Sequence, residues 1–201
     1  MFDANMTMKA QVSGIVKSAT YHTRNISRVR KYLTVDSAKK LVNSLVTSRL
    51  DYCNSLLAGI GDTQIKRLQR VQNYAARVTL RLPRSIDPPL AELHWLPISQ
   101  RIKFKIAVIV YKALNGQAPN YLSELLHRFE PPRSLRFNQD NYLLNQPRAA
   151  LVTGGDKTFR VNGPRVWNTI PQAIRCSADI NCFKRSLKTF YYCDAFNVKR
   201  P

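Results

Sequence analysis

Helical periodicity dominates the hydrophobic pattern of the chain. From position 8 to position 33 one set of residues recurs at alternating steps of four and three: Met8, Val12, Ile15, Ala19, His22, Ile26, Val29 and Leu33. This spacing places them in one stripe on one face of an α-helix. A coiled coil has the same spacing, but a short seam that contains a histidine is more typical of a long helix packed on its own domain.

Two further helices are predicted before position 83. Thr34 or Asp36 can cap the second helix, whose apolar residues continue to a natural stop at Gly59. Asp62 opens the third helix, and Pro83 marks its end. The amino-terminal third of the chain is therefore predicted to consist of three helices joined by short connections.

A tryptophan that precedes a proline by a few residues occurs twice. In "LHWLP" (93–97) Trp95 comes before Pro97, and in "GPRVWNTIP" (163–171) Trp167 comes before another proline. Since the residue before proline is pushed out of helical geometry, a short helical turn is expected to close before Pro97, which holds Trp95 between two helix breakers. We favour a buried tryptophan that packs one helix against the next over a base-stacking platform. Trp95, Pro97 and Trp167 are thus predicted as structural hinges.

The character of the sequence changes at position 130. Up to that point Ser99 can cap a helix that ends at Asn115-Gly116, whereas residues 130–157 contain prolines and glycines and no long helical period. A short hairpin near 142–152 fits this segment, and Asp179 can cap a last, basic helix. The sequence predicts a mainly α fold of about seven helices, divided into a helical domain (1–129) and a loop-rich carboxyl-terminal segment (130–201).

The charge balance indicates the class of partner. Against 44% hydrophobic residues stand 32 Lys and Arg but only 12 Asp and Glu, a net charge of +20. The excess is spread over the chain, with 15 basic and 6 acidic residues up to position 100 and 17 and 6 after it. A globular chain with this balance favours a polyanionic partner, nucleic acid ahead of a membrane surface or an acidic protein.

The strongest local charge signal lies on the third helix. Five cations follow one another at steps of four, seven, four and three, with Arg67 beside the first: Lys66, Arg70, Arg77, Arg81 and Arg84. They share one face while the helix lasts. Between Asp62 and Asp87 there is no acidic residue to form the (i, i+4) pairs of a merely solvated face. We predict that these six residues contact phosphates, with a solvated face as the alternative.

Membrane, zinc and secretory classes receive no support from the sequence. The longest apolar run, "IAVIVY" (106–111), is far shorter than the roughly 20 residues that span a bilayer. Cys53, Cys176, Cys182 and Cys193 form no CxxC pair and lie far from the three histidines in sequence, so a zinc site is not expected. Reduced, buried structural thiols are favoured, with a disulfide as the alternative. We expect an intracellular protein, nuclear or cytoplasmic, without a signal peptide.

Seven blocks of the sequence resemble one family in the family's order. They are "SRLDYCNSLLAGI" (48–60), "LQRVQNYAARV" (68–78), "LHWLPISQRIKFKI" (93–106), "YKALNGQAPNYLSELL" (111–126), "RSLR" (133–136), "GPRVWNTIP" (163–171) and "FKRSLKT" (183–189). Together they look like the carboxyl end of reverse transcriptases encoded by LINE-type, jockey-like non-LTR retrotransposons. The resemblance implies a thumb-like helical bundle and the region beyond it, following a catalytic palm.

The resemblance also defines what this chain lacks. In that family paired aspartates in the palm hold the polymerase metals, but here no two of the twelve carboxylates are neighbours. We therefore expect a non-catalytic fragment with no cofactor, metal or small-molecule substrate. Its expected partners are RNA or an RNA–DNA hybrid, bound through the phosphate backbone, and the missing polymerase palm. The alternative is a retroelement relic or a protein–protein scaffold.

Overall fold

The protein is mainly α-helical, as predicted from the sequence. The structure, a computed structural model, describes residues 8–86, 90–129, 143–147 and 158–198. The helices are α1 (Lys9–Val29), α2 (Val35–Val42), α3 (Ser48–Asp51), α4 (Asp62–Leu80), α5 (Ile98–Leu114), α6 (Asn120–Ser123), α7 (Phe159–Trp167), α8 (Gln172–Arg175) and α9 (Ile180–Phe196). Short 3₁₀ turns cover Arg30–Tyr32 and Asn54–Leu57, and a π-helical segment, Asn43–Thr47, joins α2 to α3.

The chain divides into two compact units between Arg101 and Ile102. This boundary differs from the one expected at 129/130 on composition, because the apolar residues of α5 after Arg101 join the core of the second unit. The predicted hairpin near 142–152 lies mostly outside the described residues. Inside them, Leu144 forms an isolated antiparallel bridge with Arg128.

In the first unit, α1 packs along α4. Arg67 of α4 reaches Ser13 near the start of α1, and Arg30 just after α1 reaches Thr79 at the end of α4, so the two helices run in the same direction. The buried faces are apolar: Val12, Ala19 and Ile26 on α1, and Leu68, Val71 and Ala75 on α4. Burial of these faces supplies the main stabilisation of the pair.

The buried face of α1 departs from the predicted seam in its second half. His22 is only half-buried and Val29 is 46% exposed, whereas Thr23 and Arg30 are buried. Thr23 is accommodated because its hydroxyl donates to the Ala19 carbonyl at 2.8 Å. The prediction was wrong here because it followed the apolar residues, while the helix buries polar residues whose hydrogen bonds are satisfied.

The helix that follows is capped at Thr34, one of the two predicted caps. The Thr34 hydroxyl accepts from the backbone N–H of Ser37 at 3.2 Å. Beyond it, the residues buried deepest lie at constant steps of four: Ala38, Val42, Val46 and Leu50. In an α-helix each step of four overshoots a full turn by about 40°, so such a series would drift off its face. The wide π-helical turn at Asn43–Thr47 keeps it on the core side.

The segment around Trp95 is a closed turn. The N–H of Trp95 donates to the Leu90 carbonyl at 2.8 Å and that of His94 to the Ala91 carbonyl at 2.9 Å, with His94 in the left-handed conformation at φ 54°. These are the two bonds of a Schellman motif, which pairs the apolar residues at its ends, here Leu90 and Trp95. Both side chains are buried, and Trp95 is 9% exposed.

Two glutamines of α4 hold the segment that follows Trp95. The Gln72 side chain donates to the Leu96 carbonyl at 2.9 Å, and the Gln69 side chain accepts from the N–H of Ile98 at 2.9 Å. Since α5 begins at Ile98, the expected cap at Ser99 is replaced by an amide from another helix. The bond to Gln69 satisfies an N–H that a helix start otherwise leaves unpaired.

The second unit is built on an aromatic cluster. Tyr111 of α5 stacks on Phe183 of α9 with ring centroids 4.4 Å apart, and Trp167 lies 5.8 Å from Phe183. Trp167 is 1% exposed. As predicted, Asp179 caps α9, accepting from the N–H groups of Asn181 and Cys182 at 2.7 and 3.2 Å.

The buried position of Trp95 leads to a stability prediction. Trp95→Ala should lower the free energy of unfolding by about 3 to 5 kcal/mol, because it empties a large core position. Urea unfolding measures this loss, and Tyr32→Ala is the control, since Tyr32 is 77% exposed. An unchanged stability combined with an RNA affinity weakened by about 1 to 3 kcal/mol would instead identify Trp95 as a base-stacking residue.

Candidate functional site

The predicted basic stripe begins on the outer face of α4. Lys66 and Arg70 are exposed, and Arg77 is half-buried. All three lie on the side of the helix opposite Leu68 and Ala75, which are buried. The structure thus brings these three cations together as the spacing indicated.

Arg67, which the sequence places beside the stripe, forms hydrogen bonds within the protein. Its guanidinium donates to the Gln64 side chain at 2.9 Å and to the Ser13 hydroxyl at 3.1 Å. The second bond connects α4 to α1. Arg67 is therefore oriented towards the α1 side of the stripe, and these bonds hold its side chain without neutralising it.

The last two predicted residues lie beyond the helix. α4 ends at Leu80, and Arg81 takes the left-handed conformation at φ 56°. The N–H of Leu82 donates to the Arg77 carbonyl at 2.9 Å and the N–H of Arg81 to that of Val78 at 3.3 Å, which is again a Schellman motif. The chain turns here, so Arg84 is exposed but no longer follows the helical spacing.

Arg30 bonds the carboxyl-terminal end of α4. Its Nε donates to the carbonyls of Val78 and Thr79, both at 3.1 Å, and its Nη2 donates to Thr79 at 2.7 Å. Its Nη1 donates to the Leu33 carbonyl at 2.6 Å. The side chain is 6% exposed, and it supplies donors to the last-turn carbonyl of Thr79 and a second donor to that of Val78, which also accepts from the N–H of Arg81.

Arg81 bonds the end of α1 in return. Its Nη2 lies 3.0 Å from the carbonyl oxygens of Arg30 and Lys31 and 3.4 Å from that of Leu33. The two arginines thus cap one another's helices, and we call this arrangement the arginine exchange. It gives Arg81 a structural role that the sequence pattern did not predict.

Electrostatics favour arginine at this position. Two helices end side by side, and the carboxyl-terminal end of each carries partial negative charge. Burial, and then the charge of Arg81, lower the pKa of the Arg30 guanidinium from its ordinary value. Arginine remains protonated in proteins nonetheless, so both guanidiniums are charged donors.

A groove opens beside the arginine exchange. It has a volume of about 380 Å³. Its lining contains five cations and one aromatic ring: Arg30, Lys31, Arg77, Arg81, Arg84 and Tyr74. None of the described residues that line it is acidic. We call these six residues the basic groove; it continues the α4 stripe of Lys66 and Arg70.

Two carboxylates of the first unit form ion pairs away from the basic groove. Among the described residues, Asp36 pairs with Lys40 at 2.7 Å, and Asp51 pairs with Arg101 in a contact that also includes the Arg101 Nε at 2.8 Å. The acidic side chains that form ion pairs therefore do so with cations outside the basic groove. Its positive charge is not cancelled by these pairs.

Arg30, Lys31 and Tyr74 were not among the predicted site residues. Arg30 and Lys31 come from the end of α1, and a periodicity argument confined to the third helix does not include them. A signal for Arg30 exists in the sequence, since it follows Ile26 by four positions and so extends the buried face of α1.

The described residues contain no group of three or more His, Cys, Asp and Glu that could hold a metal ion. The expected burial of the cysteines is found at Cys193 and is wrong at Cys53, Cys176 and Cys182, which are exposed free thiols. Over the same part of the chain, no helix combines the length and the apolar character that crossing a bilayer requires.

Comparison with known proteins adds no assignment: no protein-family model, no curated protein and no solved structure matches the chain. The resemblance to reverse transcriptases consequently rests on the quoted sequence blocks.

The arginine exchange generates a stability prediction at both of its ends. Arg30→Met should lower the free energy of unfolding by about 2 to 3 kcal/mol, because buried carbonyls lose a charged donor while the packed volume is kept. Arg28→Met, at an exposed position of α1, is the matched control.

At the other end, Arg81→Ala should also destabilise, and Arg81→Gly should be more stable than Arg81→Ala by about 1 kcal/mol. Both variants lose the bonds to α1, but glycine adopts the left-handed conformation without strain. Equal stability of the Gly and Ala variants in urea unfolding would contradict the backbone conformation described at Arg81.

Proposed function

We propose that the chain binds the phosphate backbone of RNA or of an RNA–DNA hybrid through the α4 stripe and the basic groove. The observation that carries the proposal is the groove itself, in which five cations from two helix ends meet without an acidic residue in the described lining. Charge without counter-charge is costly through self-repulsion, and it is useful when the ligand supplies the anions.

The residues would divide the task by their geometry. Lys66 and Arg70 are exposed on a straight helix face and supply single charges along a backbone. Arg84 and Arg77 carry planar guanidiniums, which bind phosphate oxygens as forks. Arg30 and Arg81 keep the groove in shape through the arginine exchange. Such contacts position a nucleic acid without reading its bases.

The proposed biological context is the region after the palm of a non-LTR retrotransposon reverse transcriptase. It is supported by the ordered sequence blocks and by the helical, basic first unit. A thumb contacts the backbone of a template–primer duplex from the side of the duplex. A basic helix face is suited to such contacts. The chain by itself is then a binding part of a polymerase and not an enzyme.

The salt dependence of binding tests the proposed contacts. Lys66→Ala and Arg70→Ala should each weaken RNA binding by a similar factor on unrelated sequences. Each should also flatten the plot of log affinity against log salt by about one unit, since one phosphate contact and its counterion release are lost. Fluorescence anisotropy over a salt series measures both quantities. An RNA–DNA hybrid should bind at least as well as a single strand of equal length.

A matched lysine provides the control. Lys40→Ala removes an equally exposed positive charge whose partner is Asp36 on α2, so affinity and slope should stay close to those of the unchanged protein. Arg77→Ala also removes a 2.9 Å bond to the Ile86 carbonyl, and its affinity should be compared together with its Tm. Wild-type slopes in both Lys66→Ala and Arg70→Ala would mean that the stripe is only a solvated face.

A negative prediction concerns catalysis. The purified chain should not extend a primer on a poly(A) template with Mg²⁺ or Mn²⁺, because the sequence offers no neighbouring carboxylates to hold two metal ions. Extension above the level of a mock purification would refute the proposal that this chain is a binding part without polymerase activity.

The alternative, a protein–protein scaffold, has a structural observation in its favour. Tyr52 is 71% and Leu56 50% exposed, and both line an apolar cavity of about 270 Å³ against Ile15 of α1. Exposed apolar residues around a cavity are typical of contact surfaces. A Tyr52→Ser, Leu56→Ser variant with unchanged RNA affinity would separate this surface from the proposed nucleic-acid interface.

A further inference from the structure

The second unit contains a cavity that the proposed function does not use. Its volume is about 230 Å³. Two arginines, Arg128 and Arg175, line it together with Asn115 and Ser177, and the indole of Trp167 and the side chain of Leu144 supply apolar wall. Two arginines therefore line one small cavity, and like charges at close range repel each other unless an anion lies between them.

Arg175 is the unusual member of this set. It is 6% exposed, and its Nε and Nη1 are buried without any hydrogen-bond partner. A buried charged group without a partner costs several kcal/mol, and buried polar atoms in proteins are nearly always bonded. In the first unit the buried Arg30 is bonded to three carbonyls, which shows what a structural arginine requires. Arg175 has no such acceptors for these two nitrogens, and the residue lines the cavity.

The wall of the cavity is held by bonds that do not involve the ligand. The side-chain amide of Asn168 clamps Leu144, accepting from its N–H at 3.0 Å and donating to its carbonyl at 2.8 Å. On the other side, the Tyr111 hydroxyl donates to the Ser177 carbonyl at 2.7 Å, and the Ser177 hydroxyl donates to the Ile174 carbonyl at 2.7 Å. The cavity is thus preformed, which lowers the cost of binding.

We propose that this cavity binds a phosphate group, with Arg175 as the buried donor and Arg128 as the donor at its exposed rim. A tetrahedral dianion can accept from both guanidiniums at once and neutralise both, whereas a carboxylate neutralises one charge and offers two oxygens. The group is either free phosphate or the terminal phosphate of a nucleic acid, because both present the same oxygens. This inference is independent of the basic groove, which lies in the first unit.

Thermal unfolding with inorganic phosphate as the probe tests the site. At constant ionic strength adjusted with NaCl, the Tm should rise with phosphate concentration, by about 3 to 6 °C at ten times the Kd. Arg175→Met should abolish the shift. This variant should fold, because an apolar side chain of similar length replaces an unpaired buried charge. Arg185→Met, at an exposed position of α9, should keep the shift.

Arg128→Met is the second variant; since the Arg128 side chain is exposed, its loss should leave the fold intact. It should weaken phosphate binding by at least tenfold. The assignment fails if phosphate produces no shift, if the shift survives in Arg175→Met, or if acetate at equal ionic strength gives the same shift. In the last case the cavity would bind carboxylates.

A second measurement distinguishes free phosphate from the terminal phosphate of a nucleic acid. If the source is a nucleic-acid end, a 5′-phosphorylated oligonucleotide should bind about tenfold tighter than its 5′-hydroxyl form, and the difference should vanish in Arg175→Met. If it is free phosphate, the two oligonucleotides should bind alike while the phosphate-induced Tm shift persists. A Lys66→Ala, Arg70→Ala variant should keep that shift, so a failure of the proposed RNA-binding function leaves this test unaffected.

Discussion

Arg30 joins the ends of α1 and α4 through hydrogen bonds to uncharged backbone carbonyls, and the arrangement of the first unit depends on that choice of acceptor. A chain with 32 cations and 12 carboxylates cannot pair each arginine with an acid. Arg81 and Arg77 likewise donate to carbonyls, and Arg49 donates to the Leu45 carbonyl at 2.7 Å. A carbonyl holds a guanidinium in place without cancelling its charge, so the protein fixes its arginine side chains and keeps their positive electrostatic field.

The retained positive electrostatic field affects the stability of the fold and the proposed binding of a polyanion in opposite directions. Like charges gathered at two helix ends repel each other, which lowers the stability of the folded chain at low ionic strength. Arg30, Arg77 and Arg81, already held by carbonyls, would lose little side-chain entropy on binding the proposed polyanion. The basic groove would therefore combine a modest loss of stability with a surface suited to the proposed phosphate ligands. Arg175 in the second unit differs, because its buried nitrogens have no acceptor in the protein.

The elements that sequence reasoning located are those with local signals. Asp62 and Asp179 were expected at helix starts and lie there, Asp62 as the first residue of α4 and Asp179 as the cap of α9, because helix-start signals depend on residues within one turn. The exposed face of Lys66 and Arg70 followed from helical periodicity alone. The arginine exchange did not, since its bonds connect residues about 50 positions apart. The clamp of Asn168 on Leu144 is another tertiary contact, and no spacing in the sequence encodes it.

The π-helical segment Asn43–Thr47 has a consequence for the history of the chain. Its wide turn accommodates one residue more than an α-helix would place there, so that Val42 and Val46 both face the core. Without that residue, the buried positions from Ala38 to Leu50 would follow at steps of four, three and four, which an ordinary α-helix accommodates. The segment thus has the form of a single-residue insertion absorbed within a helix, in which the phase of the buried face was preserved at the cost of regular hydrogen bonding.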